Sequence, residues 1–239
     1  MRETLRLDRH AQHAWVHFAI RVLIAVLLIV LLLVLAEDSV GQPSKRGLTS
    51  AEIMEADQRL SDLGYWTGPI DGSFDGSSEH ALIAFQKIEG RKRTGKLTAG
   101  ELEALKFATR PEPRDSTYPH VEVDLKRQVL MVVDASGQAT HIIPVSSGNE
   151  GSYWDHGQIH RAHTPRGTFK VLRKIAGWRR SSLGLLYYPN YIVNGIAIHG
   201  SLSVPAFPAS HGCIRIPMFA AKELSEMTPV GTIVVVYGD

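Results

Sequence analysis

From Arg110 to His120 the chain reads RPEPRDSTYPH, and the spacing of its apolar residues changes period across this stretch. Before it, apolar side chains recur every three or four residues from Leu48 to Phe107; after it, from Val121, they alternate or run together in short blocks. A period near 3.6 buries one face of a helix and a period of 2 buries one face of a strand, so helices must precede the switch and strands follow it. Proline lacks an amide donor and blocks helix continuation, so a segment with three of them reads as a linker. The chain is therefore expected to be an α+β protein of more than one domain.

The helical part divides into three. In LTSAEIMEADQRLSDLG, Thr49 and Glu52 stand at capping-box spacing, Ile53, Ala56, Leu60 and Leu63 share a face, and Gly64 occupies the C-terminal cap position. A turn-rich YWTGPIDGSFDG leads to a second helix starting near Ser78 with Ala81, Leu82, Phe85 and Ile88, ending before Gly90. A third follows Thr98, which again has a Glu three residues on, with Leu102 and Leu105 facing inward. After the prolines, HVEVDLKRQVLMVVDASGQATHIIPVSSG predicts a three-stranded meander with turns at Lys126–Arg127 and Ala135–Gly137. Further strands are expected at GTFKVLRKI, YIVNGIAIHG and GTIVVVYG, and a helix at FAAKELSEM. Many short strands between Gly and Pro argue for a mostly β domain, sandwich-like or barrel-like.

Val22 to Ala36 is an unbroken apolar run of fifteen residues, preceded by Arg2, Arg6, Arg9 and Arg21 and followed by Glu37 and Asp38. This charge asymmetry places the amino terminus in the cytoplasm and the remainder outside. With AWVHFAI upstream extending the span, a single-pass membrane anchor is expected; a secretory signal peptide cleaved after Ala36 is the alternative. The polar stretch 37–47 then links the run to the first helix. A formal net charge of +2, from 26 Lys+Arg against 24 Asp+Glu, carries no nucleic-acid footprint, and GRKRTGK from Gly90 reads as a solvated turn.

One cysteine, Cys213, stands in the whole chain, so it cannot staple an exported domain to itself. A working thiol needs a base, and imidazole is the side chain best matched to that task near neutral pH. Two histidines compete. His211 lies two residues upstream, and His199 ends the expected strand NGIAIHG, from which a reversal would return the chain to Cys213. Gly200 and Gly212 permit close backbone approach, and amides around Gly212 and Cys213 are candidate oxyanion donors.

The segment QRLSDLGYWTGPIDGSFDGSSEHALIAFQKIEGRKRTGKLTAGELEAL resembles the three-helix peptidoglycan-binding domain, through Leu63-Gly64-Tyr65, the turn from Gly68 to Asp75, Ala81 to Gln86, and Thr94 to Thr98. Asp75-Gly76 stands where Gly-Pro is commoner in that family. Farther on, IHG followed by SHGCIR, together with HTPRGTF from His163 to Phe169, is similar to the signature of the L,D-transpeptidases of the bacterial cell wall. The resemblance implies Cys213 as nucleophile and His199 as proton acceptor and donor, with the Gly200 carbonyl orienting the imidazole. It further implies that Ser210, His211 and Gly212 shape the loop, and that Arg215 stands where the family has Arg or Asn. The reaction it implies is a thioester of Cys213 with the third residue of a tetrapeptide stem, resolved by a neighbouring stem amine into a 3→3 cross-link. Neither cofactor nor metal is implied. The partners implied are peptidoglycan stems and wall polymer, with the membrane engaged through the amino-terminal segment.

The expected organisation is thus 1–21 a cytoplasmic basic segment, 22–36 a membrane anchor or signal-peptide core, 37–47 a linker, 48–109 a peptidoglycan-binding three-helix domain, 110–119 a proline-rich linker, and 120–239 an L,D-transpeptidase catalytic domain. Alternatives are an L,D-carboxypeptidase in which water resolves the thioester, and a noncatalytic wall anchor with an inert thiol. A zinc peptidase using His156, His160 and His163 is a third, disfavoured because their segment reads as a loop and no carboxylate base stands at a recognised offset.

Overall fold

A computed structural model describes residues 47–238, so the apolar run at 22–36 and the membrane helix expected there lie outside the described residues. Among the described residues no helix is long and apolar enough to cross a membrane. The first helix, α1 (Ser50–Asp62), begins where its caps dictate: Thr49 accepts from the Glu52 amide, and the Glu52 carboxylate returns to the Thr49 amide at 2.7 Å. Gly64, at φ +89°, ends it in the left-handed region that glycine enters without a Cβ penalty. In α2 (Gly76–Ile88), Asp75 is the N-cap, taking the Ser77 and Ser78 amides at 2.8 and 3.0 Å. The substituted Asp75-Gly76 pair therefore starts the helix itself, two residues earlier than Ser78. Thr98 caps α3 (Ala99–Phe107).

The expected meander forms as β1 (His120–Asp124), β2 (Val129–Val133) and β3 (Ala139–Pro144). Beyond it come β4 (Ser152–Asp155), β5 (Gln158–Arg161), β6 (Gly167–Lys170), β7 (Arg173–Lys174), β8 (Trp178–Ser181), β9 (Gly184–Val193), β10 (Ile196–Ser201), β11 (Ile214–Pro217), α4 (Met218–Met227) and β12 (Ile233–Tyr237). Two sheets result, one in the order β3-β2-β1-β12-β6 and one in the order β11-β10-β9-β7 with β8 on β9. They sandwich a core of Val121, Val123, Leu130 and Ile143 against Ile192, Ile198, Ile214 and Ile216, with Ala220, Ala221 and Leu224 of α4.

Three sequence expectations are corrected. GTFKVLRKI is not one strand: β6 pairs with β12 in the first sheet and β7 with β9 in the second, so the chain crosses between sheets at Val171–Leu172. YIVNGIAIHG folds back on itself, because Asn194 and Gly195 take φ 42° and 83°, the paired left-handed conformation of a tight hairpin turn. DHGQIHRAH, read as a loop, belongs to a second hairpin, β4–β5, turned by His156 and Gly157 at φ 47° and 80°.

The outer face of the first sheet is buried too. Val129, Met131, Ala139 and Ile142 share one apolar cluster with Ala56, Leu60, Leu63, Tyr65, Leu82 and Phe85 of the helical part. The Tyr65 segment runs beside β3, with the Ile142 amide on the Gly64 carbonyl at 2.8 Å and the Trp66 amide on the Ile142 carbonyl at 2.9 Å. Even the proline-rich segment is fastened, since the Arg114 and Asp115 amides both donate to the Glu122 carboxylate at 2.9 Å. Residues from Leu48 onward accordingly make one compact unit, with the helical part packed on the first sheet.

Candidate active site

Strands β10 and β11 run parallel, with Ile198 opposite Ile214 and His199 opposite Arg215. Ile198, Ile214 and Ile216 enter the core, so alternation along the strands turns His199 and Arg215 to the other face. Cys213 directly precedes β11 and reaches that face as well: Cys213, His199, Arg215, Ser210 and His211 all line one cavity of about 630 Å³. Tyr153 of the β4–β5 hairpin and Trp178, Leu185 and Tyr191 complete its apolar walls.

His199 is buried, and its Nδ1 lies 2.8 Å from the Gly200 carbonyl. A carbonyl only accepts, so Nδ1 carries the ring proton and Nε2 keeps its lone pair. Loss of water around the ring lowers its pKa to about 4, and the nearby Arg215 charge acts in the same direction. Burial pushes the half-buried Cys213 thiol up, countered in part by the Ala197 backbone and Arg215. Both shifts favour a neutral thiol beside a neutral imidazole over a preformed ion pair.

The loop before Cys213 is held by hydrogen bonds. Ser210 Oγ donates to the Cys213 carbonyl at 2.5 Å and accepts the Gly212 amide at 3.0 Å. The Gly212 amide, one of the expected oxyanion donors, is therefore already engaged. Gly212 sits at φ +138°, and a Cβ there would meet Ile196 Cδ1 at 2.8 Å and the His163 carbonyl at 2.9 Å. A Cβ on Gly200 would meet Ala221 Cβ at 2.7 Å, so α4 packs directly on the residue that orients His199. His211 does not sit as a strand neighbour of the thiol: its exposed ring meets Tyr153 edge-on with centroids 4.7 Å apart.

Several supporting residues escaped the sequence reading. Thr164, inside HTPRGTF, donates to the Gly212 carbonyl at 2.6 Å and accepts the Gly148 amide at 2.8 Å, which explains why that distant motif accompanies the cysteine. Ser147 takes the Ala209 and Ser210 amides on its carbonyl at 3.0 and 2.9 Å, and Ser146 exchanges backbone bonds with Arg215 at 3.0 and 3.1 Å. The only sequence signal for these was VSSG following a strand. The three histidines of the rival zinc site do not converge: His156 meets Asp155 at 3.0 Å, His160 stacks on Tyr153, and His163 meets Glu150 at 2.9 Å. Among the described residues no group of three His, Cys, Asp or Glu side chains could hold a metal ion.

A sandwich that sets a lone thiol and the His199 and His211 imidazoles along one cleft has the groups that acyl transfer needs. Comparison with known proteins narrows the class. Residues 118–236 match the L,D-transpeptidase catalytic domain and residues 49–105 a putative peptidoglycan-binding domain. An L,D-transpeptidase of Xylanimonas cellulosilytica is 40% identical, with a TM-score of 0.75 over 82% of this chain and 98% of that one. Another from Stackebrandtia nassauensis is 23% identical, with a TM-score of 0.48 over 83% of this chain and 98% of that one. Among curated proteins none matches. The chain belongs to the L,D-transpeptidase family and carries a peptidoglycan-binding domain ahead of its catalytic domain.

Proposed function

We propose that the protein cross-links peptidoglycan stems through an acyl-enzyme on Cys213. The observation that carries this reading is the pairing of Cys213 with His199 in one cleft, the imidazole Nδ1 being spent on the Gly200 carbonyl so that Nε2 is free to take a proton. In the first half-reaction Cys213 Sγ attacks the carbonyl of the third residue of a tetrapeptide stem while Nε2 accepts the thiol proton. Collapse of the tetrahedral intermediate breaks the bond to the terminal D-alanine, whose nitrogen takes that proton from the imidazolium. In the second half-reaction an amine of a neighbouring stem attacks the thioester, loses a proton to His199 and expels the thiolate, which His199 reprotonates. The product is a 3→3 cross-link and the enzyme returns to its neutral pair. The peptidoglycan-binding domain holds the wall polymer near this cleft.

The test is incubation with defined tetrapeptide muropeptides and mass spectrometry of protein and products. Loss of D-alanine, an adduct on the Cys213 peptide and a dimeric product are expected. Cys213→Ala abolishes all three, and His199→Ala slows them by about 10²–10⁴-fold. Activity retained in Cys213→Ala overturns the mechanism, and a product hydrolysed at the same bond without dimer assigns carboxypeptidase activity instead.

The apolar run at 22–36, with its basic flank, supports a further part of the proposal, that the catalytic domain is held on the outer side of the membrane by an uncleaved anchor. Extraction then requires detergent, and recovery of a soluble chain beginning near Glu37 indicates a cleaved signal peptide.

A further inference from the structure

Lys87, at the end of α2 in the peptidoglycan-binding domain, is only 2% exposed and is among the largest fully buried side chains, yet no salt bridge to it occurs among the described residues. Its Nζ donates to the backbone carbonyls of Gln128 and Val145, both at 2.9 Å and both in the catalytic domain. Burial, and secondarily the Arg93 charge, lowers its pKa to about 7. An ammonium taken out of water without a counter-ion opposes folding, and a methionine would fill the same seam without that penalty.

What the two carbonyls belong to is informative. Gln128 occupies the left-handed region at φ 63° in the β1–β2 turn, and its side chain bridges that turn to Ser147: Oε1 accepts the Ser147 amide at 2.9 Å, and Nε2 donates to Ser147 Oγ at 2.8 Å and to the Leu125 carbonyl at 2.6 Å. Val145 precedes Ser146, whose backbone pairs with Arg215. Ser147 in turn receives the Ala209 and Ser210 amides, and Ser210 Oγ closes on the Cys213 carbonyl. An unbroken hydrogen-bonded path thus runs from α2 to the nucleophile, and Gln128, Ser147 and Ser210 along it are each 3% exposed or less.

We infer that Lys87 is a positioning residue through which the peptidoglycan-binding domain fixes the loop carrying Cys213, making that domain part of the catalytic scaffold as well as a wall-binding module. The kinetic consequence rests on the acyl-enzyme reading above; the structural one does not. Lys87→Met keeps the bulk and removes the donors, and Lys87→Arg restores donors. In the full-length chain, Lys87→Met is expected to accelerate amide exchange at Ala209 and Ser210 by about tenfold while protection within α1 and α3 is kept. Acylation of Cys213 by a tetrapeptide stem slows by up to ~100-fold with KM unchanged, Lys87→Arg recovers part of the rate, and pelleting with purified sacculi is unaffected. Unchanged exchange at Ala209 and Ser210 overturns the inference, as does a loss of protection spread evenly over α1–α3 and β1–β3, which marks Lys87 as seam packing alone. If Lys87→Met does not fold, Ser147→Ala removes the Gln128 acceptor from the catalytic side and must reproduce the local loosening, or the inference fails. If the unaltered protein is not acylated, the functional reading fails while the exchange measurements still decide the role of Lys87.

Discussion

The resting state of the Cys213–His199 pair makes a quantitative prediction about pH. With the His199 imidazole at a pKa of about 4 and the thiol raised, the proposed mechanism starts from a neutral thiol and a neutral base. The acid limb of kcat/KM reports the base in the free enzyme, so it falls near pH 4. At pH 5 about 0.9 of the rings are then unprotonated, against about 0.03 for an ordinary histidine near 6.5, a difference of ~30-fold in rate. The assay is the second-order acylation of Cys213 by a tetrapeptide stem, followed by intact mass from pH 4 to 8. Arg215→Met is the accompanying perturbation: removing a charge that disfavours the imidazolium raises the His199 pKa and moves the limb upward. The same depression has a sign in stability. Between about pH 6.5 and 4 the unfolded ring binds a proton that the folded ring refuses, so stability falls as pH falls through that window, by up to about 3 kcal/mol. A limb near 6.5 in the unaltered protein, unmoved in Arg215→Met, refutes a His199 base depressed by burial and Arg215.

Gly200→Ala forces a Cβ to 2.7 Å from Ala221 Cβ, so a loss of about 1–3 kcal/mol in a thermal melt is expected, with acylation slowed by up to ~100-fold as His199 shifts; a variant unchanged in both has relaxed without moving β10. Deleting residues 48–109 uncovers Val129, Met131 and Ile142, each at most 2% exposed, and burial of such side chains is worth about 1.5–3 kcal/mol apiece, together comparable to the stability of a domain. The truncated chain is expected to aggregate or melt far earlier in calorimetry; a soluble fragment with unchanged melting and turnover would show the β domain self-sufficient.

Most secondary structure was legible because its causes are local. Thr49, Asp75 and Thr98 start helices through their own side chains, and the alternation in HVEVD and the turn at Ala135–Gly137 set the meander. Two of the three misread segments share a cause: a hairpin turn at Asn194–Gly195 or His156–Gly157 occupies two residues, and a short window averages the strands on either side into one run or one loop, whereas GTFKVLRKI was split by a crossing between sheets that no local pattern shows. Cys213 could likewise be singled out as the lone thiol with two histidines near it in sequence, and the resemblance preferred His199 to His211. Only the parallel register of β10 and β11 set His199 and Cys213 on one face, while Gly212 turned the chain so that His211 reached Tyr153.

The elements, their caps and the chemistry-bearing residue types are properties of neighbours along the chain, and they were readable there. The tertiary structure decided what covers each strand. QVLMVVD, apolar on both faces, shows that β2 is buried twice over, but no local pattern says that Leu130 meets the second sheet while Val129 and Met131 meet the helices. Nor can spacing reveal that Lys87, which reads as an ordinary cation at a helix C-terminus, spends its donors on carbonyls 41 and 58 residues away. Burial removes water and leaves each polar group only the partners that packing brings, and those partners are chosen by the fold, not by the neighbouring residues.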